Sequence, residues 1–384
     1  MKKIAVITGT RAEYGLLKPL LHAINEDADF ELQLIVTGMH LSPQFGETFK
    51  TIEADGFHIS EKVDCKLTED SSEAISKSIG SAIIGFAEAY NKLNPELIIV
   101  LGDRSEIFAA STAATVKGIP IAHIHGGETT EGAYDEAFRH SITKMSYWHF
   151  TSTEVYKQRV IQLGEQPNRV FNVGAIGIDS INSLKLLDKT AFEESIKFKL
   201  KQKNILITFH PVTLENETAE HQFQELLNAL DTLEDTFLIF TKPNSDKDGH
   251  IIIKMINEYV ERNKEKAVEF ASLGQLRYLS ALQFMDAVVG NSSSGILEVP
   301  SFNKPTINIG DRQKGRLMSE SVINCEPEKD AILNALNKAF SESFKIKIKN
   351  QNGLYGDGNA TKQILEVLKN NKIETLKKSF YDLK

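Results

Sequence analysis

The sequence predicts an α/β protein of two doubly wound domains facing one another across a cleft, and three observations carry that expectation. Short β-branched runs recur, each followed by a helix-length segment, the pattern of parallel sheets with helices on both faces. The 384 residues exceed the size at which one hydrophobic core usually stops growing. A polar, Lys/Glu-rich stretch at 185–202 interrupts the alternation, which then restarts.

The first half opens with a strand at 4–8. A helix follows, with apolar residues at Leu16, Leu17, Leu20, Leu21 and Ile24. A strand at 32–36 leads to a helical segment at 43–54. A long amphipathic helix at 71–93 stops before Pro95, because the residue ahead of a proline is pushed out of the helical region. Strand 97–101, helix 105–116, strand 119–124, helix 134–145, strand 148–151, helix 153–163 and strand 170–173 complete this half. The second half reads as strand 204–208, helix 216–230, strand 236–240, helix 248–262, strand 267–270, helix 274–283, strand 287–289, helix 294–299 and strand 306–309. The expected domains are 1–175 and 176–360, with a last helix at about 361–384 packing back on the first.

Composition narrows the function. With 44 basic against 52 acidic residues the net charge is −8, which argues against nucleic acid, whose phosphates need a basic face. No apolar run approaches a membrane span, and the five-residue stretch Ile4–Thr8 near the start meets Gly9, Arg11 and Glu13 too soon for a signal peptide. Cys65 and Cys325 are far apart and lack metal-ligand spacing, so a cytoplasmic protein with reduced thiols is expected.

In open α/β sheets ligands bind beyond the carboxyl ends of the strands, and polar residues gather there repeatedly. The first strand ends in Gly9-Thr10-Arg11-Ala12-Glu13-Tyr14-Gly15. It lacks the dinucleotide fingerprint but sets Arg11 at a helix N-terminus, where an anion is favoured. Strand 97–101 ends in Gly102-Asp103-Arg104, which reads equally as an Asp cap beside a surface Arg. Next come His123-Ile124-His125-Gly126-Gly127-Glu128, then Asp135 and Arg139, four apart on one helix face. Alternation puts His123 and His125 on the same side of an extended segment. Such a pair is half a metal site, but no Cys or further His falls at ligand spacing, so no metal is expected.

The second half delivers Phe209-His210-Pro211 and Lys242-Pro243-Asn244 from strand ends. Gly290-Asn291-Ser292-Ser293-Ser294-Gly295 at a strand-to-helix junction offers N–H groups and hydroxyls to a phosphate, or is a plain serine cap. Glu298, one turn on, is placed to take a ribose. Arg312, Lys314 and Arg316 add charge that balances a diphosphate.

At these residues the sequence resembles the UDP-N-acetylglucosamine 2-epimerase family, and within it the hydrolysing branch that supplies sialic-acid pathways. The resemblance runs through nearly the whole chain: GTRAEYG at 9–15, LGDR at 101–104, HIHGGE at 123–128, DEAFRH at 135–140, FHP at 209–211, GNSSSGILEVP at 290–300 and INIGDRQKGR at 307–316. His125 followed by Gly-Gly-Glu looks like the hydrolysing type, where the non-hydrolysing branch typically carries a Glu. The resemblance implies two Rossmann-like domains arranged as in GT-B glycosyltransferases. It also implies conversion of UDP-GlcNAc and water to N-acetylmannosamine and UDP through a 2-acetamidoglucal, no cofactor, and a homodimer. Arg11, Arg104, His210, Asn244, Ser292, Ser293, Glu298 and Arg312 resemble the UDP-binding set, with uracil read by backbone near Leu273. Asp103, Arg104, His125, Glu128, Asp135 and Arg139 would surround the sugar.

Which of Asp103, His125, Glu128 and Asp135 takes the first proton is left open, with Asp103 and Asp135 preferred. The alternatives are the same chemistry on a UDP-linked 2,4-diacetamido-trideoxy sugar, non-hydrolysing epimerisation, and a GT-B glycosyltransferase.

Overall fold

A computed structural model describes residues 1–43, 46–66, 71–130, 134–211, 219–243, 249–349 and 353–383. The chain forms two compact units. The first holds residues 1–128, 134–183 and 355–384, and the second holds 129–133 and 184–354. The change of unit after Ser183 falls later than the boundary expected at 175/176.

The first unit runs β1 (Lys2–Thr8), α1 (Arg11–Glu26), β2 (Phe30–Thr37), α2 (Phe49–Ala54), β3 (Ile59–Val63), α3 (Ser72–Leu93), β4 (Leu97–Leu101) and α4 (Ser105–Lys117). It continues with β5 (Ile121–Ile124), α5 (Asp135–Met145), β6 (Trp148–Thr151), α6 (Glu154–Gln162), β7 (Val170–Asn172) and α7 (Ile176–Ser183). Its seven strands are all parallel, in the order β3-β2-β1-β4-β5-β6-β7. Ile4, Ala5, Val6 and Ile7 are wholly buried because α-helices cover both faces of the sheet, so the strand shows no alternation.

The second unit runs α8 (Lys189–Ile196), β8 (Lys203–Thr208), α9 (Ala219–Leu230), β9 (Thr236–Thr241), α10 (Gly249–Arg262), β10 (Ala267–Phe270), α11 (Gly274–Phe284) and β11 (Ala287–Gly290). Then follow α12 (Ser294–Leu297), β12 (Thr306–Ile309), β13 (Val322–Cys325), α13 (Lys329–Phe340) and α14 (Glu342–Ile348). Its sheet is again wholly parallel, ordered β10-β9-β8-β11-β12-β13. Each sheet therefore reverses its winding once, between β1 and β4 and between β8 and β11. Such a switch point opens a crevice at the strand ends. Gly290 closes the second one tightly: a Cβ there would fall 1.9 Å from the Thr208 carbonyl oxygen.

Several elements differ from expectation. Strands β3 and β13 and helices α7, α13 and α14 were not anticipated; α7 follows directly on the strand taken as the end of the first half. β3 is a polar edge strand, and β13, α13 and α14 follow the Arg-rich loop where the periodic reading stopped. Among the described residues of the segment read as a helix at 43–54, the helix covers Phe49–Ala54, and residues 44–45 lie outside the described residues. The last helix, α15 (Ala360–Asn370), ends well short of 384. It belongs to the first unit, where Ile364 and Leu368 enter the core beside Leu17 and the Asp179 carboxylate accepts the Ala360 and Thr361 N–H groups. Beyond Asn370 the chain runs without helix, pinned by Lys378 to Glu165 at 2.8 Å. Among the described residues no helix is long and apolar enough to cross a membrane.

Candidate active site

The sequence after β1 folds into a capping box. Thr10 Oγ1 accepts the Glu13 N–H at 3.2 Å, while Glu13 Oε2 accepts the N–H groups of Gly9 at 2.7 Å and Thr10 at 3.2 Å. Arg11 is thereby set as the first residue of α1, exposed at the tip of its strand. Beside it, at the tip of β4, Gly102 takes a left-handed φ of +76° and turns the chain into Asp103 and Arg104.

Asp103 is ion-paired with Arg139 of α5, whose guanidinium is 3% exposed and also donates to the His125 carbonyl at 3.1 Å. Arg139 is thus paired with Asp103 from another element, while Asp135, four residues before it on the same helix, adds to the negative charge around it. Burial first, and then the nearby Asp103 charge, push the Asp135 carboxyl up to about 6. The two carboxyl groups sit in different settings, Asp103 ion-paired with Arg139 and Asp135 raised by burial, an arrangement suited to proton transfer.

His125 is held at a left-handed φ of +65°. Its Nε2 accepts the Ile176 N–H at 3.4 Å, so its Nδ1 faces Glu128 Oε1 at 3.4 Å. Glu128 in turn accepts from the Ser152 hydroxyl at 2.7 Å. His123 does not join this group. It is wholly buried, with Nε2 on the Gly102 carbonyl at 2.7 Å and Nδ1 on Thr143 Oγ1 at 3.2 Å, and burial holds it neutral with a pKa near 3. Its role is to tie β5 to the turn carrying Asp103. Both ring nitrogens being engaged, it offers nothing to a metal, and among the described residues no group of three or more His, Cys, Asp or Glu could hold one.

In the second unit, His210 and Asn291 bridge the tips of β8 and β11. Asn291 Oδ1 accepts the His210 N–H at 2.7 Å, and its Nδ2 donates to the His210 carbonyl at 2.8 Å. Asn291's own carbonyl receives Arg312 Nη1 at 3.1 Å and Gln313 Nε2 at 2.8 Å. The His210 ring is kept neutral by burial and by Arg312, and its Nδ1 has no hydrogen-bond partner among the described residues.

Ser292 Oγ accepts the Ser294 N–H at 3.4 Å. Ser293 stands at the N-cap position of α12, yet its hydroxyl caps nothing. Ser294 Oγ bonds the Tyr278 hydroxyl, and burial raises the Glu298 carboxyl. Leu273 is buried, and its carbonyl accepts from Arg277 Nε at 2.8 Å. Asn244 lies outside the described residues.

The sequence reading missed Glu13, Glu106, Asn291 and Gln313 as members of these clusters. The first was legible as a capping-box partner three residues after Thr10. Asn291 and Gln313 are defined by partners distant in sequence, and Glu106 by the space that Gly9 and Gly38 leave for it.

Residues 22–369 match the family described as UDP-N-acetylglucosamine 2-epimerase. The GDP/UDP-N,N'-diacetylbacillosamine 2-epimerase (hydrolyzing) of Campylobacter jejuni is 42% identical, over all of this chain and 99% of that protein. Polysialic acid biosynthesis protein P7 of Escherichia coli is 39% identical, over all of this chain and 98% of that one. The crystal structure of UDP-GlcNAc 2-epimerase from Neisseria meningitidis bound to UDP-GlcNAc superposes with a TM-score of 0.83 at 21% identity. It covers 97% of this chain and all of that one, and the shared fold is GT-B-like.

Proposed function

The chain belongs to the UDP-N-acetylglucosamine 2-epimerase family, and from that premise we propose that it is a hydrolysing 2-epimerase of a UDP-linked 2-acetamido sugar. The observation that carries this reading is the pair Asp103 and Asp135. Asp103 is ion-paired with Arg139, and Asp135 is raised to about 6.

In the proposed reaction a carboxylate removes the C2 proton while the C1–O bond to UDP breaks, leaving a 1,2-unsaturated sugar. Water then adds across the double bond, hydroxyl to C1 and hydrogen to the opposite face of C2. The free sugar leaves with inverted C2, and the sum is UDP-sugar plus water giving sugar plus UDP. Asp135 suits the first proton transfer, since a base working near neutral pH needs a pKa near it. His125 and Glu128 are assigned to the sugar. Arg11, Arg104, His210, Asn244, Leu273, Ser292, Ser293, Glu298 and Arg312 are assigned to UDP. A neutral His210 donates a hydrogen bond to a diphosphate oxygen without needing a proton from solvent. Cations and N–H groups at strand tips stabilise the charge that develops on the departing diphosphate.

The Campylobacter relative's name favours a 2,4-diacetamido-trideoxy sugar as substrate. The family description, and the polysialic-acid name of the second relative, favour UDP-GlcNAc giving N-acetylmannosamine. Parallel incubations with both sugar nucleotides in deuterated water test the proposal. The expected result is free manno-configured sugar carrying deuterium at C2, formed faster from the diacetamido substrate. Interconverted UDP-sugars without release of UDP would instead indicate the non-hydrolysing reaction, and turnover only with an added acceptor would indicate a transferase. A cytoplasmic homodimer remains part of the proposal, checked by fractionation and by mass in solution.

A further inference from the structure

The turn after β4 carries a carboxylate that the reaction above does not use. Glu106 is 6% exposed, although a glutamate in the first turn of a helix is ordinarily solvated. Its Oε1 accepts from Arg104 Nε at 2.7 Å and its Oε2 from the Ser105 hydroxyl at 3.2 Å. Room for it exists only because two neighbouring positions lack side chains. A Cβ on Gly9 would lie 2.4 Å from Glu106 Oε1, and one on Gly38 would lie 3.1 Å away.

Arg104 is consequently held from one side. Its Nε is taken by Glu106 and its Nη2 lies 3.9 Å from Met39 Sδ, while Nη1 has no protein partner among the described residues. The guanidinium remains partly open, with its side chain 38% exposed. Glu13, close by, is pushed toward its neutral form by burial and by the Glu106 charge. Glu106 is the carboxylate that hydrogen-bonds the Arg104 guanidinium, with Asp135 adding a weaker charge interaction.

We propose that Glu106 is a positioning residue: seated between Gly9 and Gly38, it fixes the Arg104 guanidinium so that its open edge meets the anionic UDP portion of the substrate. This rests on the UDP-sugar reading given above. Because the diphosphate is charged in the ground state as well as the transition state, the loss is expected in KM more than in kcat. Two variants reach the same contact by different routes. Glu106→Gln removes the charge. Gly9→Ala leaves the charge but drives a methyl group against Cγ and the carboxylate of Glu106, displacing it from Arg104.

Steady-state kinetics of the full chain, on whichever of the two UDP-sugars it turns over, test this in a double-mutant cycle with Arg104→Ala. Each single variant is expected to raise KM about tenfold, the scale of one hydrogen bond to a charged group, with kcat within about threefold. In the Arg104→Ala background, adding Glu106→Gln or Gly9→Ala is expected to change KM less than twofold. Additive effects on KM, or a loss confined to kcat, overturn the proposal. Absence of turnover by the unsubstituted enzyme on either sugar overturns the functional reading and this inference with it. An active enzyme with an additive cycle overturns this inference alone.

Discussion

Asp103 and Arg139 form a buried ion pair that joins the tip of β4 to helix α5, with side chains 17% and 4% exposed. Arg139 also holds the His125 carbonyl, so one guanidinium sets the spacing of two candidate catalytic segments. Removing one member of such a pair leaves a buried charge uncompensated. Arg139→Ala is expected to cost about 3–5 kcal/mol in urea unfolding and to abolish turnover. A loss below about 1 kcal/mol, the range of exposed pairs, would show that the pair contributes little.

Asp135 gives the pH dependence a sign. Its carboxyl, raised to about 6 by burial and then by Asp103, must lose its proton to act as a base. kcat/KM is therefore expected to rise as pH passes upward through about 6. Asp135→Asn should lower kcat by about 10²–10⁴, the usual worth of a positioned acid or base. The same acid limb persisting in Asp135→Asn would assign it to another group.

Glu13 links stability to pH. Burial and the Glu106 charge raise its folded-state pKa above the ordinary 4.5. The folded chain keeps a proton that the unfolded chain releases, so this contribution is complete below 4.5 and is lost as pH rises toward the folded value. Glu13→Gln retains an oxygen to accept the Gly9 and Thr10 N–H groups but cannot ionise. Its Tm relative to the unsubstituted protein is expected to climb steadily between pH 5 and pH 8. A constant difference would mean Glu13 is ionised in the fold.

Asn291 clamps both backbone groups of His210. Asn291→Ala strips partners from a buried N–H and a buried carbonyl, at about 1–3 kcal/mol for each group left unsatisfied. Calorimetric titration with UDP is expected to show at least tenfold weaker binding, because the two strand tips lose their common register. Unchanged UDP affinity would confine Asn291 to a structural role.

Much of the first-order plan was legible in the chain. The continuous apolar strands, the Pro95 stop and the restart after the polar stretch placed most elements, since buried parallel strands and amphipathic helices leave periodic signatures. Strand β3 escaped because Ile59–Val63 reads Ile-Ser-Glu-Lys-Val, an edge strand with polar residues. The final helix was extended to 384 because the amphipathic signal of Ala360–Asn370 shades into a Lys-rich segment whose path is fixed by tertiary contacts such as Lys378 with Glu165.

The sequence by itself determined two doubly wound α/β units and the polar strand tips that carry the chemistry, because both follow from local periodicity and from which residues end each strand. Strand order was decided only by the tertiary structure. That order sets β1 beside β4 and β8 beside β11, bringing Gly9 against Glu106 and His210 onto Asn291. The structure also reassigned individual residues. It withdrew His123 into a buried tie, paired Arg139 with Asp103, and seated Glu106 in a slot between two glycines. For His123 and Arg139 the physical reason is the same: a buried polar group takes the partner that satisfies it, and that partner lies tens of residues away. Glu106 is satisfied by the adjacent Arg104 and Ser105, and what the fold supplies is the space beside Gly9 and Gly38.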